Sequence, residues 1–121
     1  MNMRDVKGLR TRAKQGIPII GADVQLGSTL SAEVFSMLGL DFVLVDNQHG
    51  LWDQQSTYAA FRCICMGSAV PIARVEQNDY YAIGNLLDKG ALGIVVPQLE
   101  TAEQARCAAL AARYPPRGCR S

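Results

Sequence analysis

Short, almost wholly apolar runs alternate along this sequence with longer segments whose apolar residues recur at helical spacing, and this alternation leaves few possible folds. Each apolar run predicts a strand, and a predicted helix comes after each strand. The predicted strands are 18–26, 41–46, 70–75 and 93–97, and the predicted helices are 6–16, 29–39, 53–66, 80–89 and 101–114. Such alternation is typical of parallel sheets with right-handed crossovers. Residues 1–121 are therefore predicted to form one α/β unit, with an N-terminal helix and four βα units.

A doubly wound sheet and a (β/α)8 TIM-type barrel both fit this alternation, and two features favour the barrel. No glycine-rich phosphate-binding turn follows the first predicted strand, and polar residues cluster after the carboxyl ends of the strands, where barrel enzymes build their sites. A complete barrel of this type needs about 250 residues. The 121 residues of this chain would thus supply the first half of one.

Residues typical of helix ends support the predicted boundaries. Thr29 or Ser31 is expected to cap the second helix, and Asp53 and Thr101 are expected to begin two later ones. Asn78 and Asp79 precede another helix, and we expect them to cap it rather than to take part in chemistry.

Charge and composition exclude some functions. The net charge is +1, whereas nucleic-acid binding normally requires a clustered basic surplus. No apolar run approaches the roughly 18 residues of a membrane span. One modest basic group is interpreted as the solvated face of the first helix, and it comprises Arg4, Lys7, Arg10, Arg12 and Lys14.

The cysteines and the N-terminus bear on location. The chain has four cysteines, and no pair of them has the C-x2-C spacing of zinc sites: Cys63, Cys65, Cys107 and Cys119. They are predicted to be buried free thiols. The start of the chain is charged and lacks the apolar segment of a secretory signal. Free thiols suit a reducing compartment, so a cytoplasmic protein is predicted.

The loop after the second strand contains the first candidate for chemistry. His49 is the sole histidine, and Asp46 stands three residues before it. An aspartate that orients a histidine is a common arrangement for proton transfer near neutral pH. From the spacing alone, a histidine with a purely structural role in the loop fits equally well.

Arg74 is the second candidate, because it ends an otherwise apolar strand and its charge must reach a polar region. At the mouth of a barrel, a guanidinium can hold a carboxylate or stabilise a developing oxyanion. An arginine that reaches solvent from an edge strand is the structural alternative. Gln98, after the fourth strand, could face the same mouth, whereas Trp52, Tyr80 and Tyr81 are interpreted as packing residues.

Several of these segments resemble the HpcH/HpaI aldolase family. The run from Phe42 to Gly50 is similar to that family's apolar strand followed by D-x-E-H-G, and Arg74 with Asn78-Asp79 is similar to its V-R-V-x-x-N-D stretch. The segment 87–103 is similar to the family's next βα unit, and 114–118 is similar to the segment that comes after that unit. The resemblance runs across nearly the whole chain and in the same order.

The resemblance implies a class II aldolase that breaks or forms a carbon–carbon bond next to a pyruvate unit. In such enzymes Mg2+ or Mn2+ binds the keto acid and polarises its carbonyl group. His49 matches the histidine of proton transfer, Asp46 the carboxylate that supports it, and Arg74 the arginine that contacts the pyruvate oxygens. Gln48 and Gln98 are expected to contribute to substrate binding, and full-length members are expected to be homo-oligomers.

Two departures from the family pattern limit what can be expected of this chain. Gln48 stands where the family usually has a glutamate before the histidine, so an amide replaces one carboxylate. The family's metal ligands come after the G-x-R segment, so no metal ligand is assigned here and the chain by itself is expected to be inactive. A citrate lyase-type barrel acting on an acyl-CoA and a non-catalytic half-barrel that self-associates are the alternative interpretations.

Overall fold

A computed structural model describes residues 6–121, with side chains from Gly8 onward. Arg4 and the Lys7 side chain of the basic group therefore lie outside the described part. Five helices alternate with four strands in the order α1 Val6–Lys14, β1 Gly21–Val24, α2 Thr29–Ser36, β2 Phe42–Asp46, α3 Gln54–Ile64, β3 Val70–Arg74, α4 Tyr80–Lys89, β4 Gly93–Val95 and α5 Ala102–Ala111. The predicted α/β alternation is confirmed.

The four strands form one parallel sheet in the order β1-β2-β3-β4. A doubly wound sheet reverses its strand order at a switch point, whereas consecutive strands of a barrel stay in sequence. The sequential order is therefore the one that a barrel requires, and it contains no switch point.

One face of the sheet is covered by the helices. Val43, Val45, Ala73 and Val75 are fully buried on that face and join helix residues such as Phe61 in a single core. The side chains of the alternate positions, among them Phe42, Leu44 and Ile72, are only partly buried. We call this second sheet face the inner face.

Most strands and helices are shorter at their ends than predicted, whereas α4 has the predicted bounds. The first strand, predicted from Pro18 to Leu26, pairs only over Gly21–Val24, and the fourth ends at Val95 instead of Pro97. Proline has no N–H to donate to a neighbouring strand, which accounts for the lost ends at Pro18 and Pro97. Helix α5 ends at Ala111, three residues before Tyr114.

Helix capping is partly as predicted. Asp53, Asp79 and Thr101 each accept a hydrogen bond from a backbone N–H in the first turn of α3, α4 and α5. The prediction of Thr29 or Ser31 as the cap of α2 was wrong, because Ser28 takes this role and accepts from the Ser31 N–H at 3.3 Å. Ser28 has extended backbone angles, as a capping residue requires.

Helix α1 is tied to the amino end of the sheet by one charged pair. The Arg12 guanidinium donates to the Asp41 carboxylate, which also accepts from the Ile20 N–H at 2.9 Å. This backbone hydrogen bond and the Arg12 contact hold the pKa of Asp41 below its usual value. Arg12 is therefore an anchoring residue, although Arg10 and Lys14 are exposed as predicted.

The prediction for the cysteines was right on pairing and wrong on burial. None of the four cysteines forms a disulfide, but Cys65, Cys107 and Cys119 are exposed and Cys63 is half-buried. The three exposed cysteines stand on outward positions of helices or of the C-terminal segment, where the apolar pattern alone does not indicate burial. Among residues 6–121, no helix is long and apolar enough to cross a lipid bilayer.

Candidate functional site

The polar side chains singled out in the sequence meet where β2 and β3 end. Asp46 is the last residue of β2 and Arg74 the last of β3, and the two are direct partners in the parallel register. Because the carboxyl ends of parallel strands lie at the same edge of a sheet, the side chains of Asp46 and Arg74 are neighbours on the inner face.

Asp46 and Arg74 form a two-point ion pair. Arg74 donates from Nε to Asp46 Oδ1 at 2.9 Å and from Nη2 to Oδ2 at 2.5 Å. The Asp46 side chain is fully buried, whereas the Arg74 side chain is 24% exposed. A bidentate pair fixes the plane of the guanidinium as well as its position. Arg74 is therefore oriented by Asp46 and does not extend freely into solvent.

The loop after β2 wraps around the same carboxylate. The backbone N–H groups of Gln48 and His49 donate to Asp46 Oδ1 at 2.9 and 3.2 Å, and the Gly50 N–H donates to the Asp46 carbonyl. The Arg74 contact, aided by these two N–H groups, lowers the pKa of Asp46 to about 2 in spite of its burial. Asp46 is thus an ionised anchor for both Arg74 and the His49 loop.

Further hydrogen bonds fix this loop to neighbouring elements. The Asn47 side chain accepts from the Thr57 hydroxyl of α3 at 2.7 Å, and the backbone N–H of Asn47 donates to the Arg74 carbonyl at 3.0 Å. Trp52 packs against the core and donates from Nε1 to the Val24 carbonyl at 2.8 Å, so its predicted packing role is confirmed. The loop is consequently attached to β1, β3 and α3 at once.

His49 itself projects to the surface. The backbone N–H of His49 donates to Asp46, but within residues 6–121 the imidazole has no hydrogen-bond partner. The carboxylate oxygens of Asp46 accept instead from Arg74, Gln25 and backbone N–H groups. The expected support of the imidazole by Asp46 is therefore indirect and acts through the loop backbone. The histidine remains available to a ligand at this edge of the sheet.

The two candidate glutamines are less constrained. Gln48 is half-buried next to His49, and Gln98 is exposed beyond β4 with a left-handed backbone (φ 57°). Asn78, which was expected to cap α4, instead donates from its side chain to the Gln104 carbonyl of α5, while Asp79 alone makes the cap. The role of Gln48 and Gln98 in substrate binding stays a prediction.

Two further residues belong to the same cluster and were not singled out from the sequence. The Gln25 amide donates to Asp46 Oδ2 at 3.2 Å and to Asp23 Oδ2 at 3.1 Å, and Asp23 lies 3.9 Å from Arg74 Nη2. The sequence does contain an indication of Asp23, because this residue interrupts an otherwise apolar strand in the way that Arg74 does. We call Asp23, Gln25, Asp46 and Arg74 the strand-end cluster.

A separate cavity of about 440 Å3 lies behind this edge, between α4 and the C-terminal segment. Its lining includes Tyr80, Tyr81, Lys89 and Arg120, but neither Arg74 nor His49. The strand-end cluster on the inner face is therefore separate from that cavity. Tyr80 donates to the Cys119 carbonyl at 2.7 Å and packs against the core, so its predicted packing role is confirmed. Tyr81 contacts the Tyr80 ring edge to face but is 79% exposed, so the prediction that it packs between helices was wrong.

Comparison with known families agrees with this geometry. The family described as HpcH/HpaI aldolase/citrate lyase matches residues 24–121, which include Asp46, His49 and Arg74. The chain belongs to this family. The resemblance seen in the motifs is thereby confirmed.

Characterised relatives share the motif region at moderate identity. The chain is 35% identical over 111 residues to a hydroxypyruvate/pyruvate aldolase of Agrobacterium fabrum, covering 92% of this chain and 42% of the relative. It is 38% identical over 113 residues to an enzyme of the same name from Rhizorhabdus wittichii, covering 93% of this chain and 45% of the relative. A 4-hydroxy-2-oxo-heptane-1,7-dioate aldolase of Salmonella dublin is 36% identical over 107 residues, with 88% and 41% covered.

Two solved structures have a similar fold over nearly the whole chain. Citrate synthase SbnG superposes with a TM-score of 0.85 at 30% identity, over 93% of this chain and 46% of that one. Macrophomate synthase superposes with a TM-score of 0.83 at 30% identity, over 99% and 41%. The chain thus spans less than half the length of the relatives it matches.

Proposed function

We propose that the protein is a carbon–carbon lyase that reversibly cleaves a hydroxy-oxo acid to pyruvate and an aldehyde. The observation that supports this most is the Asp46–Arg74 pair: an arginine held by two hydrogen bonds at the carboxyl edge of a parallel sheet, in a family that contains aldolases. A guanidinium oriented in this way suits the oxygens of a 2-oxo acid.

Arg74 would stabilise the charge that develops during cleavage. When the bond between C3 and C4 of a 4-hydroxy-2-oxo acid breaks, its electrons move toward the C2 oxygen and form an enolate. Asp46 engages Nε and Nη2 of Arg74, which leaves Nη1 for the ligand. A charged donor held in place before the reaction needs no reorganisation when the enolate forms. Protonation of C3, by a proton from water that replaces the one removed from the C4 hydroxyl, then gives pyruvate.

His49 would exchange the second proton of the reaction. Cleavage turns the C4 hydroxyl into an aldehyde, so a base must take the hydroxyl proton, and the same group returns it in the synthetic direction. Imidazole is the side chain most often used for such transfer near neutral pH. The exposed ring of His49, on a loop anchored beside Arg74, suits this role, and Gln48 and Gln98 would contribute amide contacts to the substrate.

Mg2+ or Mn2+ is the cofactor that the family resemblance implies, and it would polarise the keto group. Among residues 6–121, however, no three His, Cys, Asp or Glu side chains converge in a way that could hold a metal ion. The described residues therefore do not form a complete metal site. We propose that the 121-residue chain alone is inactive, and that the active protein is a cytoplasmic homo-oligomer.

The architecture proposed for the active protein is the (β/α)8 barrel, of which this chain forms β1 to β4 and their helices. Three observations support this architecture. The strands are in sequential order, the inner face is only partly buried, and the chain matches less than half the length of each relative. Four further strands would cover the inner face and enclose the strand-end cluster.

A chimera tests the proposed function. The 121 residues would replace the matching part of the Rhizorhabdus wittichii enzyme, and pyruvate release from a 4-hydroxy-2-oxo acid would be measured with and without Mn2+. We expect metal-dependent cleavage by the chimera and none by the 121-residue chain. Arg74→Lys and His49→Asn in the chimera should each lower kcat/KM by about 100-fold, because each removes an interaction made in the transition state.

Circular dichroism and light scattering would establish that each chimera is folded. A folded chimera that gives no pyruvate with the metal present would contradict the proposed function, as would full activity in Arg74→Lys. Cleavage of an acyl-CoA by the same chimera would favour the citrate lyase side of the family, to which the family description and the similarity to citrate synthase also point.

A further inference from the structure

The strand-end cluster contains a carboxylate that the proposed reaction does not use. Asp23 is the third residue of β1, on the inner face beside Leu44 of β2. Its side chain is 38% exposed, and in the described part of the chain it accepts one hydrogen bond, from Gln25 at 3.1 Å. Because Arg74 Nη2 lies only 3.9 Å away, a ligand bound by Arg74 would also face Asp23.

The charges of the cluster do not cancel. Asp46 neutralises Arg74, and its oxygens are filled by five hydrogen bonds from Arg74, Gln25 and the loop backbone. Asp23 adds a second negative charge, so two carboxylates stand against one guanidinium. The surplus charge lies on the exposed, sparsely hydrogen-bonded carboxylate and therefore faces any ligand at this edge.

We propose that Asp23 determines specificity by excluding ligands with a second carboxylate, so that the site takes 2-oxo acids whose far end is uncharged. This inference rests on the proposed function, since it assumes that Arg74 holds the 2-oxo acid. A second carboxylate roughly 6 Å from Asp23 would be repelled enough to weaken binding about three- to tenfold. Of the relatives, the hydroxypyruvate/pyruvate aldolases are named for substrates of this singly charged kind, whereas the heptane-1,7-dioate aldolase is not.

A matched pair of ligands isolates this effect. 2-Oxopentanoate and 2-oxoglutarate have the same five-carbon chain and differ at the far end, which is a methyl group in one and a carboxylate in the other. Binding to the chimera that contains these 121 residues, with Mg2+ present, would be measured by NMR from the indole N–H of Trp52 and the Nε–H of Arg74. The variants are Asp23→Asn, which keeps an oxygen acceptor for Gln25, and Glu33→Gln on α2, which removes the same charge from the helix layer.

We expect the chimera with the original Asp23 to bind 2-oxopentanoate about tenfold more tightly than 2-oxoglutarate. In Asp23→Asn this preference should fall to about threefold or less, and in Glu33→Gln it should be unchanged. An unchanged preference in Asp23→Asn would overturn the inference and leave the role of Arg74 intact. If neither acid moved the two signals in any variant, the 2-oxo acid site at Arg74 would itself be refuted, and this inference with it.

Discussion

Asp46 shows how one buried charge organises the whole strand-end cluster. Its carboxylate receives the two donors of Arg74, the Gln25 amide and two backbone N–H groups of the loop that carries His49. A buried carboxylate is unfavourable unless it is paired and hydrogen-bonded, and here both conditions are met. One residue therefore sets the orientation of the guanidinium and the position of the histidine together.

The lowered pKa of Asp46 makes a prediction about stability and pH. Since its folded-state pKa is about 2 against 3.8 for an ordinary aspartate, its contribution is present above about pH 4 and is lost as the pH falls toward 2. Asp46→Asn should lower the free energy of unfolding by about 2 kcal/mol at pH 7. Urea titrations at several pH values should show the difference shrinking between pH 4 and pH 2.

Asp88→Asn is a suitable control, because Asp88 is an exposed partner of Arg120 remote from the cluster. A stability difference for Asp46→Asn that stayed constant from pH 7 to pH 2 would contradict the assigned cause.

The loop from Asp46 to Trp52 leaves no room for a larger residue at Gly50. A Cβ there would lie 2.3 Å from the Asp46 carbonyl oxygen and 2.7 Å from the Trp52 ring. We expect Gly50→Ala to shift the His49 loop and to cost about 1–3 kcal/mol of stability. Thermal unfolding and the Trp52 indole signal would measure both effects. Wild-type stability with an unmoved indole signal would show that the loop is less tightly packed than described.

The elements show which features the sequence could predict. The strands and helices were found because apolar spacing reports burial directly, and the capping residues Asp53 and Thr101 could be predicted from side-chain chemistry. The contacts of Gln25 with Asp46 and of Asp23 with Arg74 were missed, because they depend on which strands are neighbours. The strand ends at Pro18 and Pro97 were predicted too far out, although the missing N–H of proline disfavours pairing there. The direct contact expected between Asp46 and the His49 imidazole is replaced by the contact with Arg74, a partner 28 residues away in sequence.

Helix α4 offers a paired test at two glycines. Gly84 lies inside the helix with no atom within 4 Å of the position that a Cβ would take, whereas Gly90 ends the helix with φ +118°. Gly84→Ala should stabilise the protein by about 1 kcal/mol, because alanine favours the helical backbone. Gly90→Ala should destabilise it by about 1 kcal/mol, because a side chain disfavours positive φ. Denaturant unfolding of both variants measures the change in the free energy of unfolding. A change of the same sign in the two variants would contradict the assigned helix end.

In the described part of the molecule, helices cover one face of the sheet, and the side chains of the inner face are only partly buried. Helices bury Val43, Val45 and Ala73 completely, while apolar side chains of the inner face keep contact with solvent, Val95 being 41% exposed. Apolar side chains that keep contact with solvent together on one face are typical of an interaction face. In the proposed barrel, the remaining strands cover it.

This arrangement predicts how the chain and the chimera differ in solution. The 121-residue chain should bind the apolar dye ANS with a several-fold rise in fluorescence and should self-associate in light scattering. The chimera should do neither, because its inner face is covered. Equal dye binding by the two proteins would argue against a barrel that closes over the inner face.

The most direct test of the central claim is a pyruvate titration of the 15N-labelled chimera with Mg2+ present, monitored by NMR. If the strand-end cluster is the 2-oxo acid site, the Arg74 Nε–H and the backbone signals of Gln48 and His49 should shift together with one dissociation constant. The signals of α5 should remain unmoved. Saturable shifts confined to another part of the molecule, or no shift at Arg74, would contradict the assignment of this edge as the substrate site.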